Sequence, residues 1–144
     1  MELQKRIESA IDDARAGSSL VALIELEDLV RSTGRPEVMG WLGYCLAKEK
    51  RDFSRALVLC TTAVETKPDD PDLYLALGRV YLLAGRRYQA LMTLRKGLKM
   101  GRHEAIVREL TDMGLRKQPV FHFLERGNPL NVFAGRVMTR LGIR

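Results

Sequence analysis

The residue types that enzymes use for catalysis are present in this chain, but no recognisable catalytic motif groups them. A serine can act as a nucleophile, but Ser18, Ser19 and Ser54 have no histidine in such a motif. The sequence contains no glycine-rich phosphate loop, no Walker lysine and no zinc-ligand spacing. The aspartate pairs at 12–13 and 69–70 are interpreted as surface and helix-capping residues. We therefore predict a chain that is not an enzyme.

The cysteines and histidines do not predict a metal or cofactor site. Cys45 and Cys60 each lie within an apolar helical pattern, so we interpret both as buried free thiols. A metal site would need more ligands at closer spacing. His103 and His122 lie far from both cysteines in the sequence. We expect no bound metal and no cofactor.

The charge of the chain is basic and uneven. Its net charge is +6 over 144 residues, and residues 101–144 carry eight Arg or Lys against four Asp or Glu. Such an excess could favour an acidic partner, RNA or a membrane surface, but a solvated basic surface is the preferred explanation. No stacking platform or base-reading motif accompanies the basic residues, so a nucleic-acid partner is not expected.

The apolar pattern indicates neither a membrane span nor a secretion signal. No apolar run approaches the ~20 residues that a transmembrane helix needs. The first ten residues contain no apolar core and no cleavage site of a signal peptide. We expect a cytoplasmic location.

The elements that position these residues repeat with a fixed period. Ala22, Ala56 and Ala90 are spaced 34 residues apart, twice over. The residues four positions after the alanines are Leu26, Cys60 and Leu94, and those seven positions after them are Leu29, Ala63 and Gly97. The turn position five residues before the alanine is a glycine in two of the three copies, Gly17 and Gly85. With apolar residues at helical spacing and no strand pattern, the period predicts an all-α stack of helical hairpins.

The third copy has aromatic, small and apolar residues at fixed positions of its two helices and its turn: Tyr74, Leu77, Gly78, Tyr81, Gly85 and Ala90. The second copy has the matching pair Leu42 and Gly43. This pattern resembles the tetratricopeptide repeat. The resemblance implies a short right-handed superhelix of about three hairpins in a domain over residues 1–117. The repeats would span roughly 2–35, 36–69 and 70–103, followed by a helix over 103–114.

Local signals predict where the helices begin and end. Asp52 and Asp70 are suited to cap helices by accepting backbone N–H groups, and Ser18 or Ser19 could cap the second helix in the same way. Leu3 is expected on the apolar stripe of the first helix, and Leu20 on that of the second. The second copy has one extra residue between Gly43 and Ala56. We expect it to lengthen the turn over residues 48–51.

The resemblance implies that the first helix of each hairpin lines a concave groove that binds a partner. Six residues are then candidates for the groove: Tyr44, Lys48, Leu75, Arg79, Leu82 and Leu83. Lys48 and Arg79 would supply positive charge for an acidic or C-terminal carboxylate group. The asparagines of the family's carboxylate clamp for chaperone tails are absent from these positions. Because the fifth helix is apolar nearly all round, a partner or this chain's own tail must cover Leu75, Leu82 and Leu83.

The last part of the chain departs from the repeat. Residues 118–144 are predicted to form an extension with an amphipathic helix over 129–141. The extension could cap the last repeat, dock onto a partner protein or lie on a membrane surface.

The sequence therefore predicts a non-enzymatic adaptor that binds a peptide or helix of another protein in its groove. Two alternatives remain open: a small chaperone of a bacterial secretion system, and a basic scaffold associated with RNA or a membrane surface. We expect a monomer or a weak dimer.

Overall fold

The computed structural model describes residues 1–114, and within them the chain forms α-helices and no strand. This confirms the all-α class. The predicted extension 118–144 and its helix 129–141 lie outside the described residues. The chain divides into two compact units, Met1–Leu110 and Thr111–Arg144. The helices are α1 Glu2–Ala16, α2 Ser19–Thr33, α3 Pro36–Lys50, α4 Phe53–Thr66, α5 Pro71–Leu83, α6 Arg87–Met100 and α7 Glu104–Asp112.

Two of the predicted helix caps are confirmed. The side chain of Asp52 accepts the backbone N–H of Arg55 at 3.2 Å, and that of Asp70 accepts the backbone N–H of Asp72 at 3.0 Å. The serine cap is wrong. Ser18 precedes α2, but its ψ of 49° is not the extended conformation of a capping residue, and its side chain makes no capping hydrogen bond. The hydroxyl of the buried Ser19 instead donates to the carboxylate of Glu49.

The three turns within the hairpins share one backbone feature. The residue five positions before each of the three repeat alanines has a positive φ: Gly17 at 99°, Arg51 at 55° and Gly85 at 75°. Only Arg51 and Asp52 separate α3 from α4, whereas residues 84–86 separate α5 from α6. The predicted longer turn is therefore wrong. The extra residue is absorbed by α3, which has 15 residues against 13 in α5.

Replacing Arg51 with glycine is expected to stabilise the protein by about 0.5 kcal/mol. An L-residue in the left-handed region is disfavoured by about 1 kcal/mol relative to glycine, and part of this gain is offset by glycine's larger backbone entropy. The Arg51 guanidinium also lies 4.8 Å from the centre of the Phe53 ring, a contact that the variant loses. Urea unfolding measures the change. Lys50→Gly, in the last turn of α3, is the control and should destabilise; a loss of stability in both variants would contradict the explanation.

Small residues let the two helices of each hairpin approach closely. Ala22, Ala56 and Ala90 have no exposed surface. A Cβ added at Gly43 would lie 2.6 Å from the Cys60 sulfur, and one added at Gly78 would lie 2.5 Å from Leu94 Cδ2. Since Cys60 and Leu94 each follow their alanine by four residues, the second and third hairpins use the same contact.

The first helices of the hairpins lie side by side. Within the described residues, α1 contacts α3 and α3 contacts α5, while no comparable contact joins α2 to α4 or α4 to α6. A stack that is closer on one side curves toward that side, so α1, α3 and α5 form the concave face of this unit. Fully buried Trp41, Leu42, Leu46 and Leu73 belong to α3 and α5, at the centre of the stack.

Two apolar residues expected in the core are exposed. Leu3 is 44% exposed near the start of α1, and Leu20 is 61% exposed on α2. Among residues 1–114, α1 and α2 form one end of the stack, and no other described hairpin packs on their outer surfaces. The rest of both stripes is buried, including Ile7 and Leu23.

Candidate concave interface

One carboxylate on the concave face joins three helices and the residue that precedes a fourth. Asp72, in the first turn of α5, accepts hydrogen bonds from Arg15 of α1 at 2.7 and 3.2 Å. It also accepts the indole N–H of Trp41 of α3 at 2.8 Å. His103, just before α7, places its Nε2 atom 2.9 Å from the same carboxylate. We call these four residues the Asp72 cluster.

The carboxylate of Asp72 titrates below its ordinary range. Burial alone would raise its pKa, but the hydrogen bonds and positive charge of Arg15 lower it, as do the hydrogen bonds from Trp41 and His103, and the net shift is downward. The pKa of Arg15 is raised, because its attraction to Asp72 and Asp12 outweighs the desolvation of its guanidinium. Both shifts favour the charged forms of the pair.

Aromatic rings and guanidinium groups alternate next to this cluster. The Arg15 guanidinium carbon lies 5.5 Å from the centre of the Trp41 ring, and that of Arg79 lies 5.7 Å from the same ring. Arg79 also lies 5.5 Å from the Tyr44 ring, and Tyr44 meets Trp41 edge-on at 5.7 Å. Such cation–π contacts add stability where the cation is partly desolvated.

Arg79 has further partners inside this unit. Its Nε donates to the Glu109 carboxylate of α7 at 2.7 Å, and its Nη1 donates to the backbone carbonyl of Arg15 at 3.3 Å. The positive charge of Arg79 is thus balanced by an acidic residue of the chain itself.

The six predicted groove residues differ in exposure. Tyr44 and Leu75 are buried, Arg79, Leu82 and Leu83 are half-buried, and Lys48 is exposed. The structure brings Tyr44 and Arg79 together. Lys48 lies at the end of α3, where its ammonium group donates to the carbonyl of Gly17 at 3.1 Å.

Sequence reasoning did not single out the residues that hold this face together: Arg15, Trp41, Asp72, His103 and Glu109. The sequence contains a signal for two of these five residues. Trp41 is the single tryptophan of the chain, and Asp72 is the last acidic residue before Glu104. Neither signal names the partner residues, because these come from other hairpins.

Chemistry beyond these contacts is limited in the described part of the chain. Cys45 and Cys60 are free and buried, and burial together with the nearby Glu49 raises the pKa of Cys45 to about 12. Burial likewise raises the pKa of Cys60. Within residues 1–114, no group of His, Cys, Asp and Glu side chains could hold a metal ion.

None of the helices in this part of the chain combines the length and the apolar character needed to cross a membrane.

Comparisons with known proteins agree with this architecture. Residues 46–111 match the family model described as tetratricopeptide repeat. No curated protein matches the chain. A mutant of the Thermobaculum terrenum O-GlcNAc transferase is similar in structure, with a TM-score of 0.58 and 18% identity over 81% of this chain and 24% of that one. MamA of MSR-1 has a TM-score of 0.50 and 19% identity over 98% of this chain and 79% of that one.

The chain thus spans about a quarter of the transferase, and at these identities the likeness concerns the fold alone. The hairpins, their 34-residue period and the matched family model agree with one another. Residues 46–111 thus match the tetratricopeptide repeat model, and the described helices pack as tetratricopeptide hairpins do.

Proposed function

We propose that this chain is a non-enzymatic adaptor whose concave face binds a peptide or a helix of a partner protein. Tetratricopeptide repeats are helical scaffolds for protein interaction. The observation that carries the proposal is the side-by-side arrangement of α1, α3 and α5, which presents one continuous inner surface.

The arrangement of charges suggests which residues contact the partner. Arg79 already pairs with Glu109, so it orders the face more than it offers free charge. Lys48 forms no ion pair within residues 1–114 and remains available for a carboxylate. Leu82 and Leu83 follow Arg79 by three and four residues and share its side of α5. We propose that Leu82, Leu83 and the edge of Tyr44 provide the apolar contact, with Leu75 packed beneath them.

The paired change Leu82→Glu and Leu83→Glu is expected to abolish partner capture. The partner would desolvate the two carboxylates placed on the apolar contact. They would also lie on the side of α5 that the acidic Glu109 already faces. We expect these two effects to weaken binding at least tenfold. Affinity capture from the native cell followed by mass spectrometry provides the measurement. Arg79 is left unchanged, because its substitution would also break an internal ion pair.

The matched control is Leu20→Glu with Ile24→Glu, two changes of the same kind on the exposed surface of α2. Circular dichroism establishes that both double variants are folded. The proposal is wrong if the α5 variant retains every partner that the wild type captures, or if the α2 variant loses the same partners.

The captured protein also decides between kinds of adaptor. A single exported polypeptide bound in stoichiometric amount would indicate a chaperone of a secretion system, for which the three hairpins are suited. Several cytoplasmic proteins would indicate a general adaptor. Nucleic acid or lipid in place of protein would indicate the basic scaffold and would contradict the proposal.

A further inference from the structure

The positive charge of the chain is concentrated in its third hairpin. From residue 73 to residue 103 the sequence contains seven Arg or Lys and no Asp or Glu. Arg79 pairs with Glu109 on the concave face, and Arg102 pairs with Glu104. Three other cations of α6, Arg95, Lys96 and Lys99, form no ion pair among the residues that the structure describes. The third hairpin therefore presents positive charge that the described part of the chain does not neutralise.

These cations share one surface of α6 with exposed apolar side chains. Tyr88 is 72% exposed and Met92 is 48% exposed. Five residues follow one side of the helix, because successive members are four, three, one and three positions apart: Tyr88, Met92, Arg95, Lys96 and Lys99. We call these five residues the α6 stripe. It extends over about 16 Å of helix, and the opposite side of α6 is buried through Ala90, Leu94 and Gly97.

We propose that the α6 stripe is a second docking surface, separate from the concave face, that binds an acidic amphipathic segment of a partner protein. Acidic side chains of such a segment would pair with Arg95, Lys96 and Lys99. Its apolar side chains would contact Tyr88 and Met92, residue types that suit this role because tyrosine provides a rigid ring and methionine adapts its shape.

The composition of the stripe favours a protein over a membrane or a nucleic acid. An interfacial helix inserts a whole apolar side into a bilayer, but that side of α6 is already packed against the rest of its own unit. Single-stranded nucleic acid is held by a track of phosphate contacts and successive stacking rings, whereas the stripe offers one ring. An acidic helix makes use of both the charges and Met92.

A designed peptide tests the proposal. The probe is a short fluorescent helical peptide with glutamate and leucine at i, i+3 and i+4 spacing, and its partner probe has glutamine in place of glutamate. The full chain is expected to bind the acidic probe at least tenfold more tightly, with an affinity that falls as salt is raised. Lys96→Glu with Lys99→Glu should remove this difference, and Tyr88→Ala should weaken binding of the acidic probe several-fold.

The matched control is the charge reversal Lys5→Glu with Arg31→Glu, at exposed positions of α1 and α2. It should leave binding of the acidic probe unchanged. The Leu82→Glu and Leu83→Glu variant should also bind the probe normally, which separates this surface from the proposed groove.

Three results would overturn the proposal. The chain could bind both peptide probes equally, the control reversal could reduce binding as much as the α6 reversal, or phosphatidylserine vesicles or a single-stranded oligonucleotide could bind through the stripe while the acidic probe does not.

Discussion

Replacing Asp72 with alanine is expected to lower the free energy of unfolding by about 3 kcal/mol, because it leaves partly buried charges and donors without a partner. Arg15 loses its carboxylate, and the indole N–H of fully buried Trp41 loses its acceptor. His103 loses the bond that links α7 to α5. For a chain of this size the midpoint of thermal unfolding should fall by about 10 °C. Calorimetry and urea unfolding measure both quantities.

The control is Asp12→Ala, which removes the other carboxylate bound to Arg15. Asp12 is exposed, so its loss should lower stability by less than about 1 kcal/mol. Equal effects of the two substitutions would show that Asp72 does not organise the face.

The difference in stability between the wild type and Asp72→Ala should depend on pH. Since folding lowers the pKa of Asp72, its carboxylate stabilises the folded state above the ordinary aspartate pKa of about 4. This contribution is lost as the pH falls from about 4 through the lowered value of the folded state. The difference in stability between wild type and Asp72→Ala should therefore shrink in acid and stay constant near neutrality.

Replacing Gly43 with alanine is expected to destabilise the protein by about 2 kcal/mol. The added Cβ would lie 2.6 Å from the Cys60 sulfur and 2.8 Å from the Ala56 carbonyl oxygen, so the backbone of α4 must move. Overpacking of this kind destabilises by roughly 1–3 kcal/mol, and it outweighs the ~1 kcal/mol by which alanine favours a helix over glycine.

Gly40→Ala, on the same helix, provides the comparison. Its added Cβ would approach Leu73 Cδ2 at 3.1 Å, the end of a side chain that can rotate, and helix propensity offsets the remaining crowding. We expect little change in its urea midpoint. A Gly43→Ala variant that is as stable as Gly40→Ala would contradict the close approach of α3 and α4.

Features that depend on neighbouring residues were predictable from the sequence. The 34-residue period placed Ala22, Ala56 and Ala90 in equivalent hairpins, and all three are buried. The caps at Asp52 and Asp70 follow from local backbone chemistry and are confirmed. The prediction of a longer turn over residues 48–51 was wrong, because the repeat period alone does not reveal whether a helix or a turn absorbs an inserted residue.

The contacts that organise the concave face could not be predicted from neighbouring residues in the sequence. Arg15 and Asp72 are 57 residues apart in the sequence, and their ion pair depends on the stacking of three hairpins. Arg79 was expected to offer its charge to a partner, but the position of Glu109 becomes evident only once α7 is placed.

The distribution of charge shows a related difficulty. Dividing the chain at residue 101 assigns the basic excess to the C-terminal part, whereas the longest stretch without acidic residues runs from 73 to 103. Only the exposure of α6 shows which of these cations share a surface with Tyr88 and Met92.

Photo-crosslinking from position 83 tests the central proposal most directly. A photoreactive residue replaces Leu83 on the concave face in one protein, and Leu20 on α2 in a second, and each is irradiated with the captured partner. We predict a cross-linked complex from position 83 and none from position 20. A partner that cross-links from position 20 and not from position 83 would contradict the assignment of the concave face as its binding surface.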